Sequence, residues 1–275
     1  MPSDTPLIDY SIIVPAYNEE ALLPRTLVTL RTAMAGLAGF TGELIVVNNN
    51  STDRTAEVAA AHGARVVFEG INQISRARNR GAESASGRFL LFVDADTQVS
   101  TDLLRAALEE LQSGRACGGG ARVTSSDVTD PDIRRTVDLW NRLSQRMRWA
   151  AGAFVFCRRE AWQAVGGFSL QVYASEEVFF SRAVRKWGRQ RAQEFVILPV
   201  AFDTSMRKAE WYTKRQMFWM TIRFLFCPWL LRSRKHCRLW YARPEPKPAA
   251  PSGEAEAGHA TDASTDAPRQ PTGGA

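Results

Sequence analysis

Strand-like and helix-like segments alternate four times in the first hundred residues, and this alternation limits the fold more than any other feature of the sequence. Each strand-like segment is a short apolar run without helical spacing, which is typical of strands buried on both faces. These predicted strands cover residues 7–14, 43–47, 65–68 and 89–93. Strand followed by helix, repeated in this way, predicts an α/β fold with a mostly parallel central sheet flanked by helices.

Helices are predicted between these strands and after them. The first is expected to carry Glu19 and Glu20 in its first turn, where acids suit the helix dipole. Ser175 is the expected N-cap of the last one. The other predicted helices cover residues 54–62, 74–86, 102–111 and 132–148, and further strands are predicted at 118–123, 152–156 and 195–198.

The formal net charge of +6 comes from one segment of the 275-residue chain. Residues 1–204 carry equal numbers of basic and acidic side chains, whereas residues 205–243 carry ten Lys or Arg and one acid, Glu210. A nucleic-acid partner is therefore not expected for the chain as a whole. The four cysteines are far apart, and residues 1–9 do not resemble a secretory leader, so we expect a cytoplasmic protein with reduced thiols.

Polar residues follow three of the predicted strands, at 16–18, 48–53 and 94–97. Ligands of open parallel sheets bind at the carboxyl ends of strands. Asp94 and Asp96, two positions apart on a chain leaving the sheet, can converge on one hard divalent cation. The alternative is that they form a turn and cap a following helix. No G-x-G-x-x-G motif and no Walker lysine is present, which disfavours a dinucleotide or P-loop site.

Several segments resemble, in order, the motifs of the family 2 glycosyltransferases with a GT-A fold. They are residues 13–20 (IVPAYNEE), 46–55 (VVNNNSTDRT), 77–82 (ARNRGA), 92–97 (FVDADT), 165–168 (VGGF) and 176–181 (EEVFFS). The resemblance covers residues 8–204 and implies a GT-A catalytic domain at residues 1–204. It also implies a nucleotide-sugar donor and a Mn²⁺ or Mg²⁺ ion held by Asp94 and Asp96.

The resemblance implies a set of donor-binding residues along these motifs. They are Pro15, Ala16, Tyr17, Glu19, Asn49, Arg78, Asp94, Ala95, Asp96 and, past the last strand, Arg207. Tyr17 can also be read as a half-buried aromatic at a strand end.

The second motif departs from the family pattern, which often has two acids and a glycine. This chain has Asn48, Asn49 and Asn50 there. An amide both donates and accepts hydrogen bonds, whereas a carboxylate only accepts, so the base is left open, with a UDP-sugar expected before a GDP-sugar. Asn50 also suits a left-handed turn.

Glu176 and Glu177 are the candidate catalytic residues. Acids in a first helical turn can simply stabilise the helix. A carboxylate held there can also act as a general base toward an acceptor hydroxyl. In the family the motif usually reads Glu-Asp with the Asp as base, and Glu177 occupies that position.

The resemblance implies an inverting transfer of one sugar to an acceptor hydroxyl on a cell-envelope glycan or a lipid-linked acceptor. The Q-x-x-R-W signature of processive synthases is absent. Two alternatives are a non-catalytic nucleotide-sugar-binding subunit and a nucleotidyltransferase on a related fold.

Residues 205–243 combine nine aromatic side chains, between Trp211 and Tyr241, with their basic residues. This composition predicts a helical extension that lies on an anionic membrane surface, at the inner face of the cell membrane, or that packs on the domain. Residues 244–275 are rich in Pro, Ala, Gly and Ser and are expected to be a disordered tail.

Overall fold

The computed structural model describes residues 8–205 and 227–237, which belong to one compact unit. Eight strands in these residues form one sheet: β1 Tyr10–Ala16, β2 Gly42–Asn48, β3 Arg65–Phe68, β4 Phe89–Val93, β5 Thr97–Gln98, β6 Ala116–Thr124, β7 Phe154–Arg158 and β8 Glu194–Thr204. The α-helices are α1 Leu23–Ala35, α2 Thr55–Ala61, α3 Ile74–Ser84, α4 Thr101–Gln112, α5 Pro131–Met147, α6 Arg159–Val165 and α7 Glu176–Arg189.

The strand order is β3-β2-β1-β4-β7-β6-β8-β5. The first four strands of this order are parallel, which confirms the prediction made from the strand and helix alternation. β7 runs antiparallel to both β4 and β6, and β8 is parallel to β6. The sheet is therefore mostly parallel, with its reversals in the second half.

The short connection between β4 and β5 requires this sheet to curl. Four strand spacings separate β4 from β5, which would amount to about 19 Å in a flat sheet. The chain from Val93 to Thr97 can span at most about 14 Å when fully extended. The far edge of the sheet must therefore bend back toward its middle, and residues 94–96 bridge the gap.

Helices cover both faces of the sheet, as predicted. Neighbouring strand residues alternate between the two cores: Ile12 packs with leucines of α1 and α4, whereas Ile13 packs with α3, α6 and α7. This alternation follows from the two-residue period of a strand. Phe180 and Val184 are the main buried apolar residues of α7.

Several features differ from the sequence prediction, including β8, which extends over Glu194–Thr204 and not only 195–198. α1 begins at Leu23, because the N–H groups of Glu19 and Glu20 bond to Thr55 Oγ1 and Asp53 Oδ2, so both acids precede the helix. The two-residue strand β5 and the seven-residue helix α6 were not predicted, since both are too short for a periodic signal.

Part of the predicted extension at 205–243 packs on the domain. A 3₁₀ turn at Pro228–Arg232 buries Leu231, and Cys237 beside it, against Val172 and Ala174. Residues 206–226 and 238–243, together with the predicted tail at 244–275, lie outside the described residues. None of the described helices has the length and apolar character needed to cross a membrane.

Candidate active site

The carboxyl ends of β1, β2 and β4 meet at one edge of the sheet, as the parallel pairing requires. Ala16, the last residue of β1, pairs with Asn48, the last residue of β2. The amino end of the antiparallel β7 reaches the same edge, where the Ala153 carbonyl accepts the N–H of Asp94 at 3.1 Å. The polar segments 16–18, 48–53 and 94–97 therefore lie together.

Hydrogen bonds join the turn after β1 to the turn after β2. Asn18 has a φ of 51°, and its N–H donates to Ser51 Oγ at 3.0 Å while its Oδ1 accepts from the N–H of Thr52 at 2.8 Å. The N–H of Glu19 donates to Thr55 Oγ1 at 2.8 Å. These bonds form one wall of the edge from two separate turns.

Four predicted donor-binding residues lie along this wall. Pro15, Ala16 and Glu19 are buried, and Tyr17 is half-buried. Tyr17 is therefore the most accessible of the four residues. Its contact with the donor stays a prediction.

The asparagine triplet serves the fold of this edge. Asn50 has a φ of 63°, which confirms the expected left-handed turn. Asn49 is buried; its Nδ2 donates to the carbonyls of Glu69 and Ile71 at 3.2 and 2.7 Å, and its Oδ1 accepts the N–H of Gln73 at 3.0 Å. These bonds use both amide protons, so the predicted contact of Asn49 with the base would rest on its remaining oxygen lone pair.

The backbone of residues 94–96 is held from both sides. Thr26 Oγ1 donates to the Ala95 carbonyl at 2.8 Å, and the N–H of Ser205 donates to the Asp96 carbonyl at 3.3 Å. Ala95 is buried, whereas 24% of the Asp94 side chain is exposed and Asp96 is half-buried. The fold thus fixes the backbone and leaves both carboxylates at the edge.

A cavity of about 120 Å³ lies beside Asp96. Its lining is Leu22, Arg25, Thr26, Asp96, Gln98, Ser126, Asp127, Asp203, Thr204 and Ser205. Carboxylate and hydroxyl oxygens, without sulfur or imidazole, suit Mg²⁺ and Mn²⁺. Asp96 presents such oxygens to this cavity, whereas Asp94 lies outside its lining and is paired with Arg78. The part of the chain that the structure describes has no cluster of three metal-ligating side chains, and the binding of one ion by Asp94 and Asp96 stays a prediction.

α7 delivers the two candidate catalytic residues to the same edge. Ser175 occupies the N-cap position of α7, as predicted, but it has a φ of 58° and its side chain makes no capping bond; its carbonyl accepts the N–H of Val178. Only 4% of Glu176 is exposed, whereas Glu177 is half-buried.

The carboxyl group of Glu177 lies against the backbone of Gly152. A Cβ placed on Gly152 would be 3.4 Å from the Cδ of Glu177. Burial, with smaller contributions from the negative charges of Glu176 and Asp94, raises the pKa of Glu177 to about 8, although the positive charge of Arg78 opposes the shift.

Arg78 lies beneath these carboxylates, with 1% of its side chain exposed. Its Nη1 donates to Glu176 at 2.5 Å, and its Nη2 donates to Asp94 at 2.9 Å and to the Gly152 carbonyl at 2.7 Å. Because the side chain is buried, the predicted contact of Arg78 with the donor would require this packing to change, and it stays a prediction. Sequence reasoning did not find this pairing, because Asp94 and Glu176 are 16 and 98 residues away from Arg78.

Asn79 and Gly167 are structural residues of the site whose roles were not predicted. Asn79 accepts the N–H of Phe168 at 2.8 Å and donates to its carbonyl at 2.9 Å. Gly167 has a φ of 72°, and a Cβ there would be 2.5 Å from Asn79 Oδ1. Both lie in segments that carry the family resemblance, and that was the only signal available for them. Arg207 lies outside the described residues, so its predicted role stays a prediction.

Comparisons with known proteins agree with the motifs. The model of the family described as glycosyl transferase family 2 matches residues 11–166. A dolichyl-phosphate beta-glucosyltransferase of Drosophila melanogaster is 34% identical over 154 residues, which cover 49% of this chain and 47% of that protein. The chain therefore matches about half the length of this relative.

Solved structures share the fold at low sequence identity. Mannosyltransferase PcManGT of Pyrobaculum calidifontis, in complex with GDP-Man and Mn²⁺, has a TM-score of 0.58 and 19% identity over 83% of this chain and 64% of its own. Glucosyl-3-phosphoglycerate synthase of Mycobacterium tuberculosis, in complex with Mn²⁺ and UDP, has a TM-score of 0.57 and 19% identity over 82% of this chain and 80% of its own. The expected GT-A fold is confirmed, and the chain belongs to glycosyl transferase family 2.

Proposed function

We propose that this chain transfers a single sugar from a nucleotide-sugar to an acceptor hydroxyl, with inversion at the anomeric carbon. One observation carries the proposal: Glu177 and the carboxylates Asp94 and Asp96 stand at the same edge of the sheet, on separate elements that Arg78 joins. This arrangement puts a candidate base on one side of a site and a candidate diphosphate-binding pair on the other.

Glu177 is the better candidate for the base. Glu176 is buried and paired with Arg78, and a carboxylate in such an ion pair is a weak proton acceptor. Glu177 is half-buried, and the described part of the chain shows no ion pair for it. Its raised pKa brings it near neutral pH, where a general base is most effective.

The reaction is a single displacement. The acceptor hydroxyl gives its proton to Glu177 as its oxygen forms a bond to the anomeric carbon of the sugar. The bond from that carbon to the diphosphate oxygen breaks, and the nucleoside diphosphate leaves with the electron pair. Because the attack comes from the face opposite to the leaving group, the configuration inverts.

Asp94 and Asp96 would hold the Mn²⁺ or Mg²⁺ ion. When bound, the cation offsets the negative charge on the leaving diphosphate. Arg207 is proposed to add a second positive charge there. The complexes of the two solved relatives with Mn²⁺ support this choice of cofactor.

A UDP-sugar and a lipid-linked acceptor are the proposed substrates. The complex of the mycobacterial synthase with UDP and the name of the Drosophila relative support these two choices. A cell-envelope glycan is the other acceptor class that the proposal allows.

A panel of nucleotide-sugars with Mn²⁺ tests the proposed function. We expect one donor to raise the melting temperature and to transfer its sugar to a polyprenyl phosphate or glycan acceptor. Stabilisation is expected from mass action, since a ligand at about 100 times its Kd adds about 2.7 kcal/mol. Stabilisation without transfer to any acceptor would favour the non-catalytic binding subunit.

We also propose that residues 205–243 bring the site to an anionic membrane surface. Within this segment the described residues include Trp229, which is 63% exposed, and exposed Arg232, Arg234 and Lys235. An aromatic side chain beside several cations is typical of interfacial binding. The turn packs on residues 172–174, directly before α7, so the surface would lie near the proposed base.

Vesicle sedimentation tests whether this segment binds anionic membranes. The protein is expected to pellet with anionic vesicles at low salt and to lose part of that binding at high salt, because screening weakens the charge term but not aromatic insertion. Changing Trp229 to Ser together with Arg234→Glu and Lys235→Glu should reduce binding about tenfold or more, since each cation contributes about 1 kcal/mol.

The control for charge reversal is Arg115→Glu, which reverses one exposed cation directly before β6, on the opposite edge of the sheet. It should leave sedimentation unchanged. If the wild-type protein stays in the supernatant with anionic vesicles at low salt, the segment is a packing element only.

A further inference from the structure

One buried guanidinium joins three elements of the proposed site. Arg78 of α3 donates to Asp94 after β4, to Glu176 at the start of α7 and to the carbonyl of Gly152 before β7. The two acids are held by different nitrogens, at 2.9 and 2.5 Å. The spacing between the Asp94 carboxylate and the first turn of α7 is therefore set by the width of one planar group.

Aromatic residues pack between the same elements, around the Arg78 side chain. The Phe168 ring lies 5.2 Å from the Cζ of Arg78. Phe168 stacks on Phe180 of α7 at 4.2 Å between ring centroids and meets Phe92 of β4 edge to face at 4.9 Å. Arg78 and this aromatic group together fix α7 relative to β4.

Stability alone does not explain an arginine at this position. The cost of removing charges from water offsets most of the attraction in a buried ion pair, and apolar residues often replace such pairs without loss. A guanidinium offers something different, because its rigid fork can hold two carboxylates in fixed directions, which an ammonium group cannot do.

We propose that Arg78 is a positioning residue that sets the distance between the donor-side carboxylate Asp94 and the α7 turn carrying Glu177. This inference rests on the proposed function, because it assumes that these two acids act on the donor and the acceptor. It replaces the expected contact of Arg78 with the donor by an indirect role.

Arg78→Lys tests the role, because it keeps the charge and removes the fork. We expect kcat to fall by about tenfold to a hundredfold, the range that a small misplacement of reacting groups produces. The donor KM and the Kd of UDP with Mn²⁺ should stay within about threefold. The control, Arg80→Lys, changes a half-exposed arginine of the same helix and should leave both constants unchanged.

Two results would overturn the proposal. A rise of tenfold or more in the Kd of UDP, by calorimetry with Mn²⁺, would mean that Arg78 serves donor binding, directly or through Asp94, and not the placing of the α7 turn. An unchanged kcat with a lowered melting temperature would mean that Arg78 serves only the stability of the fold.

A double variant shows whether Arg78 and Glu176 affect transfer through the ion pair that they form with each other. Glu176→Gln should lower kcat as Arg78→Lys does, and the double variant should be no more than about twofold slower than the worse single variant. Effects that multiply would mean that the two side chains act separately, against the proposal.

Hydrogen exchange gives a readout that does not depend on transfer. Amides 177–180 should exchange about tenfold faster in Arg78→Lys than in the wild-type protein, with the remainder of α7 unchanged. Unchanged exchange at 177–180 would mean that Arg78 does not hold the first turn of α7. If the wild-type protein transfers no sugar, the proposed function fails, and this measurement still decides whether Arg78 holds α7 in place.

Discussion

Glu177→Gln is expected to lower the kcat of sugar transfer by about a hundredfold or more, while the Kd of the donor changes little. The glutamine side chain keeps the size and polarity of the glutamate but cannot take the proton of the acceptor hydroxyl. Steady-state kinetics together with calorimetry of donor binding separates the two constants. Unchanged turnover in this variant would rule out Glu177 as the base.

The pH dependence of kcat/KM distinguishes Glu177 from its neighbour. Burial raises the pKa of Glu177 to about 8, and only the ionised form can act as a base, so kcat/KM of the wild-type enzyme should rise with pH, reach half its maximum near that value and level off above it. This rise should disappear in Glu177→Gln and remain in Glu176→Gln, where the base is intact. The reverse pattern would move the base to Glu176.

Asp96→Ala is expected to abolish the metal dependence of nucleotide binding. If Asp94 and Asp96 hold the diphosphate through a cation, UDP should bind tightly to the wild-type protein only with Mn²⁺ or Mg²⁺ present. The variant should bind UDP weakly in both conditions. Asp138→Asn, on the exposed surface of α5, is the control and should keep the wild-type response. Equal affinity of the wild-type protein for UDP in Mn²⁺ and in EDTA would contradict a cation at this pair.

The parallel half of the sheet could be predicted because its signals are local. The run from Phe89 to Val93 has no helical spacing, and its predicted bounds are those of β4. Arg65–Phe68 was also predicted with its observed bounds. The meeting of the polar segments at one edge then follows from parallel pairing alone, without knowledge of any side-chain contact.

The internal arrangement of the site could not be predicted in this way, because it depends on distant contacts. In the sequence, nothing distinguishes Arg78 from a solvent-facing arginine of a helix. Its burial arises only when α7 and β4 are brought together around it. Ser175 has the side chain of an N-cap and precedes α7 as predicted, but its left-handed conformation and its missing capping bond could not be read from the sequence. Glu19 and Glu20 bond to the neighbouring turn, so the helix starts later than its sequence indicates.

The bridge from β4 to β5 restricts how this protein can vary in length. Inserted residues are tolerated in exposed surface loops, because the added chain can extend into solvent without moving the elements that the loop connects. Here both ends are fixed within one sheet, since Val93 pairs with Phe154 and Thr97 pairs with Thr204. A single added residue would either break the pairing of β5 or displace Asp96 from the edge. Homologues that use this edge in the same way should therefore show insertions elsewhere and keep the number of residues between these two strands constant.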